Sequence, residues 1–141
     1  MKWIYGRQDW KTLERGLENC YLLTNGLGGF SSLTMTGAVA RNDHSVFMAC
    51  VKAPNHRINM IHRMKEELDI GESKYVLSTQ EFADGTKEEG YRYLTEFSFE
   101  ILPSWRYLIN GIEIEKEIVM AQGSNQIAVN YHLKNRGQKE A

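Results

Sequence analysis

Proline, cysteine and long apolar runs are all scarce in this 141-residue chain, and each scarcity excludes something. With only two prolines, nearly every residue keeps the backbone N–H that a β-ladder needs. Cys20 and Cys50 are the only cysteines and have no C-x-x-C spacing, so no disulfide framework is specified. Free, buried thiols in a reducing compartment are expected instead. No stretch approaches the ~20 apolar residues of a membrane-spanning helix, and the opening "MKWIYGRQDW" lacks the apolar run of a secretion signal. The expected location is the cytoplasm. Seventeen basic residues against eighteen acidic ones give a net charge of −1, without the positive excess that nucleic-acid phosphates or an anionic membrane demand. Neither is expected as a partner.

What is present favours strands. Hydrophobic residues are 42% of the chain and charged residues 25%, the balance of one globular domain, residues 1–141. Val, Ile, Phe, Tyr and Thr supply β-propensity. In "SWRYLINGIEIEKEIVMA", Asn110 and Gly111 separate two alternating runs, a strong hairpin signature because both turn positions take positive φ. Ile112, Ile114, Ile118 and Met120 then share one face, interrupted by Lys116, while Glu113, Glu115 and Glu117 point to the other. "QIAVNYHLKN" repeats the rhythm with Ile127, Val129, Tyr131 and Leu133 inward, and "QGSN" (residues 122–125) suits a tight link, completing a three-strand meander. "TEFSFEILPSW", "KYVLSTQEF" and "SVFMACVKA" read as further strands, with Pro103 ending the first and a turn at Asp84 and Gly85 following the second. "INMIHRMKEELDIG" fits two periods: Met60, Ile61, Met64 and Leu68 at helical spacing, or alternation about Met60, His62 and Met64. Between strand-rich neighbours the extended reading is favoured. A short helical turn is expected in "QDWKTLERGLEN". The fold class is all-β, an antiparallel sandwich of two packed sheets.

Chemistry-bearing motifs are sparse. "NGLGGF" puts Gly26, Gly28 and Gly29 within four residues, yet "SSLTMTGAVA" behind them is strand-like, so no helix N-terminus is there to hold a phosphate. A turn whose glycines adopt dihedrals closed to other residues is the better reading, and Asn25 followed by Gly26 fits it. His44, Cys50, His56 and His62 have no zinc-ligand spacing, and Arg57 and Arg63 would repel a cation. No metal and no cofactor is expected. Glu113, Glu115 and Glu117, two apart on a strand, lie ~6.8 Å from one another, within the carboxylate separation of inverting glycosidases. Any strand with a charged outer face does the same, so no catalytic residue is assigned. Glu66–Glu67 and Glu88–Glu89, being adjacent, face opposite ways when extended. Tyr91, Tyr93 and Trp105 stand in aromatic clusters interleaved with Arg92 and Arg106, a composition that fills cores and also stacks on sugars.

Taken in order, "YLLTNGLGGFSSLTMTGA", "GYRYLTEF" and "PSWRYLINGIEIEKEIVMAQGSNQIAVNYHL" resemble the amino-terminal domain of bacterial and archaeal glycogen debranching enzymes of the amylo-α-1,6-glucosidase type, over residues 21–133. The resemblance implies a β-sandwich of the large, galactose-mutarotase-like kind. It further implies that an (α/α) toroid, absent from these residues, carries the carboxylates of the glycoside hydrolase and removes α-1,6-linked glucose. This domain would then be non-catalytic, with the toroid of the same chain as its partner and an α-glucan as a second. Asn25, Gly26, Gly28, Gly29, Arg41 and His44 become candidates for the face toward toroid or glucan. Where that family runs Arg-(Arg/Lys)-Tyr-His-Gly, this chain has "RNDHS": Arg41 and His44 align, and Asn42, Asp43 and Ser45 do not. The rival reading is a stand-alone carbohydrate-binding module stacking sugar on Tyr91, Tyr93 or Trp105.

Overall fold

The computed structural model describes residues 1–52 and 56–136. Thirteen strands are present among them: β1 (Trp3–Gly6), β2 (Leu23–Thr24), β3 (Phe30–Ser32), β4 (Ser45–Lys52), β5 (His56–Ile61), β6 (Glu67–Ile70), β7 (Ser73–Val76), β8 (Thr79–Glu81), β9 (Lys87–Glu89), β10 (Leu94–Phe99), β11 (Pro103–Ile109), β12 (Ile112–Met120) and β13 (Ile127–Asn135). Every pairing is antiparallel. Strands β1-β10-β11-β12-β13 make one sheet and β2-β3-β4-β5 the other, with β6–β7 and β8–β9 as separate hairpins. The expected all-β sandwich is what forms.

The meander β11–β12–β13 follows the alternation closely. Asn110 and Gly111 turn it with φ of 47° and 80°, and burial along β12 alternates strictly from Ile112 to Met120. Trp105, Phe97, Leu94, Ile114 and Ile118 from this sheet meet Leu33, Met35 and Val46 from the other side, with Ile70 and Leu77 from the small hairpins. Trp105 sits at the centre. Its ring packs against Phe97 (5.3 Å) and edge-on to Tyr21 (5.5 Å), and its indole N–H donates to Met35 O at 2.9 Å. The helical turn near the start is a 3-10 turn at Arg7–Trp10 followed by α1 (Leu13–Gly16), which Thr12 caps by accepting from Arg15 N.

Several expectations need correction. "KYVLSTQEF" is two strands, because Leu77 and Ser78 form the corner between hairpins: Leu77 N–H donates to Glu66 O and Gly90 N–H to Ser78 O. The run in "TEFSFEILPSW" ends at Phe99, and Pro103, expected to end it, opens β11 instead. Residues 58–70 are extended at both ends, in β5 and β6, with irregular backbone over 62–66 where the chain leaves one sheet for a hairpin. Ala53, expected at the end of β4, lies outside the described residues. Neither cysteine is in a disulfide, and Cys20 is exposed while only Cys50 is buried; Cys20 stands in an isolated bridge with Thr34, outside either sheet. Tyr131 and Leu133 lie on the inward phase of β13 yet remain 40% and 51% exposed, because β13 is the last strand of its sheet.

Candidate functional site

The glycine loop between β2 and β3 is organised by one side chain. Asn25 is fully buried; its Oδ1 accepts from Leu27 N (2.9 Å) and Gly29 N (3.1 Å). Its Nδ2 donates to Asn125 Oδ1 (3.0 Å) and Ser124 O (3.3 Å), and its carbonyl accepts from Gly123 N at 2.8 Å. Beside it, Gln122 Nε2 donates to Thr24 O at 2.6 Å. Thus the β2–β3 loop of one sheet is stitched to the β12–β13 turn of the other, closing one end of the sandwich. The glycines are needed for this. Gly26 and Gly28 take φ of 81° and 90°, and a Cβ on Gly29 would stand 2.7 Å from Asn25 Nδ2 and 3.0 Å from Met48 O. What the loop offers outward is Gly26, the 44%-exposed Leu27 and Gly28, whose carbonyl accepts from Arg57 Nε at 2.9 Å.

Arg41 and His44 belong to a different place. They flank a turn at the start of β4, where Ser45 pairs with Ser32; the glycine loop meets β4 near Met48. Three residues at ~3.4 Å each separate the two by about 10 Å along the strand. His44 is buried, and its Nδ1 accepts from Ala40 N (3.0 Å) and Arg41 N (3.2 Å), while Arg41 is exposed. Burial, against the partial opposition of Asp43, holds the imidazole below the ordinary histidine range, so the neutral ring shapes this turn. Asn42 and Asp43 are exposed, and Ser45 is a buried residue whose Oγ donates to Ile61 O at 2.8 Å.

Of the aromatics, Trp105 has no exposed surface, so no sugar reaches its ring. Tyr91 lies within a 3-10 turn (Gly90–Arg92) and Tyr93 caps its end, and both are partly exposed. Tyr93 stands edge-on to Tyr75 and lines a cleft of about 290 Å³ with Val76, Lys87, Glu88, Glu89 and Arg92. The glutamate ladder of β12 faces outward, where Arg106 lies 3.4 Å from Glu113 and 4.0 Å from Glu115. A shallow groove of about 300 Å³ runs there. Its carboxylates sit on an open sheet face, where Arg106 lies within 4.0 Å of Glu96, Glu113 and Glu115.

One polar constellation escaped sequence reasoning. Lys116, the interruption on β12, is buried: its Nζ donates to Glu66 Oε1 at 2.9 Å and lies 5.0 Å from the Trp105 ring centre. Tyr131 donates its hydroxyl to the other oxygen of Glu66. Nearby, Ser78 Oγ donates to Glu88, which also pairs with Arg63, and Glu66 N–H donates to Ser78 Oγ at 3.3 Å. The lone charge on an apolar face was the available sign; its partner, 50 residues away, was not.

These features define a class: an antiparallel β-sandwich in which the glycine loop and the polar clusters are occupied in holding the sheets together. The particular family follows from comparison with known proteins. Residues 19–141 match the family described as glycogen debranching enzyme N terminal, and the chain belongs to that family. No curated protein and no solved structure matches it.

Proposed function

We propose that this domain is the non-catalytic support of a glycogen debranching enzyme, packing on the catalytic domain that hydrolyses α-1,6-glucosidic branches. The observation that carries the reading is Asn25. Its side chain makes four hydrogen bonds within the domain and retains none for a ligand, so the glycine loop works as a rigid corner with a small apolar tip. Gly26, Leu27 and Gly28 are the surface on which the catalytic domain rests, close approach being possible where two of three residues lack side chains. Location in the cytoplasm accords with an exposed free thiol at Cys20.

The test uses the full-length enzyme. Leu27→Glu changes an exposed side chain without touching the Asn25 bonds. Lowered debranching activity, with the domain's own melting temperature retained, is the expected result; unchanged activity and unchanged thermal coupling between the domains would remove the reading. A glucan-binding role has one specific support, the cleft at Tyr93 with its carboxylates and guanidinium. Calorimetric titration of the isolated chain with maltooligosaccharides separates the two, since heat that disappears in Tyr93→Ala belongs to a binding module.

A further inference from the structure

Asparagine followed by glycine occurs twice in the chain, at Asn25–Gly26 and Asn110–Gly111. Asparagine is a thermolabile residue, and most so before glycine, which has no side chain to keep its amide nitrogen away from the carboxamide. The fold treats the two sites in opposite ways. Asn25 is fully buried, and its carboxamide is engaged at both ends: Oδ1 accepts from Leu27 N and Gly29 N, and Nδ2 donates to Asn125 Oδ1 and Ser124 O. Its Cγ cannot swing toward Gly26 N without breaking these bonds. Asn110 and Gly111 are both exposed. Among the described residues the Asn110 carboxamide is held by one hydrogen bond, from Nδ2 to the Tyr75 hydroxyl at 2.6 Å.

The turn adds to the contrast. Ile109 and Ile112 pair across it, so Asn110 and Gly111 are its two central residues, with φ of 47° and 80°, the signature of a type I′ turn. The ladder closes on Ile109 and Ile112, which leaves the Gly111 N–H outside it. The chemistry needs only water. Gly111 N gives up its proton to solvent base and attacks Asn110 Cγ; the new C–N bond forms as Cγ–Nδ2 breaks, and ammonia leaves with a proton from solvent. Water then adds to one carbonyl of the cyclic imide and opens it, giving aspartate or, through the other carbonyl, isoaspartate. Amide and water become acid and ammonia, with nothing oxidised or reduced. Isoaspartate inserts a methylene carbon into the backbone of a two-residue turn whose neighbours, Ile109 and Ile112, are buried in the core. Either product replaces the Nδ2 donor to Tyr75 with a carboxylate.

We propose that Asn110 is a deamidation site, where the domain ages by conversion to aspartate and isoaspartate, while the fold protects Asn25 from the same reaction. This goes beyond the supporting role proposed above and does not depend on it. The test is incubation of the purified protein at mildly alkaline pH, with peptide mapping by mass spectrometry and enzymatic methylation of isoaspartyl carboxyls on the same samples. Asn110 should convert at least about tenfold faster than Asn25, which must wait for its loop to open, and the two rates should converge in concentrated urea. Asn110→Gly keeps two residues that accept positive φ and removes the carboxamide; it should abolish the isoaspartyl signal at this turn and leave the fresh protein folded by far-UV dichroism. Three results would overturn the proposal. They are Asn25 converting as fast as Asn110 in folded protein, Asn110 remaining intact while the urea-treated chain converts, and isoaspartyl methylation undiminished in Asn110→Gly.

Discussion

Replacing Lys116 with alanine puts the central ion pair to a quantitative test. The lysine and Glu66 side chains are 5% and 10% exposed and 2.9 Å apart, so neither is rescued by solvent when the other is removed. Breaking a buried pair from one side costs about 3–5 kcal/mol, because the remaining charge is left uncompensated. The ammonium also sits 5.0 Å from the Trp105 ring centre, and the shortened side chain leaves a void against that ring. At about 2–4 °C per kcal/mol for a chain near this size, the melting temperature should fall by roughly 6–20 °C. The double variant Lys116→Met with Glu66→Gln is the control. It removes both charges, keeps most of the volume and leaves an amide to accept from Tyr131, so it should lie within about 1 kcal/mol of wild type or above it. Urea unfolding followed by tryptophan fluorescence reads both. A loss of less than about 1 kcal/mol in Lys116→Ala would refute the claim that this pair is desolvated.

Further outcomes follow from other contacts. Gly90→Ala should cost at least the upper part of the ~1–3 kcal/mol typical of overpacking, because its Cβ would fall 1.8 Å from Leu77 O, a backbone atom that cannot swing away; denaturant midpoints measure it. Asn25→Ala should lose at least about 2 kcal/mol, since the N–H groups of Leu27 and Gly29 lose their acceptor; faster amide exchange at Gly29 would accompany it. Burial, with Glu66 adding to it for Tyr107 and Tyr131, holds the hydroxyls of Tyr21, Tyr107 and Tyr131 above the ordinary phenol range. The unfolded chain therefore gives up these protons first, and stability should be intact below about pH 10 and fall above it; tyrosinate absorbance should rise together with unfolding. His44 has the opposite sign, its folded value being lowered, so its contribution is present above about pH 6.5 and lost as pH falls. His44→Gln should flatten that acid limb of the melting curve.

The features legible in the sequence are those carried by neighbours along the chain. Alternation over β11, β12 and β13, positive φ at Asn110 and Gly111, and the Asp84–Gly85 turn depend on one to nine residues at a time. There the period of two and the steric freedom of glycine decide the outcome before any packing occurs. Alternation carries no information about which strand lies at an edge, so the inward phase of β13 was readable while the exposure of Leu133 was not. Nor does it register a break that keeps its phase, and "KYVLSTQEF" passed as one strand although Leu77 and Ser78 turn a corner within it.

The candidate site divides in the same way. That the glycines of residues 26–29 shape backbone was evident from their density and from the strand behind them. That Asn25 is the pin, that Trp105 is sealed in the core and that Lys116 is neutralised by Glu66 were settled only when segments 100, 70 and 50 residues apart came together. Local sequence determined where this chain extends and where it turns. Tertiary packing decided which polar groups lose their water, because desolvation and its compensation depend on atoms a few ångströms away in space, wherever they lie in the chain.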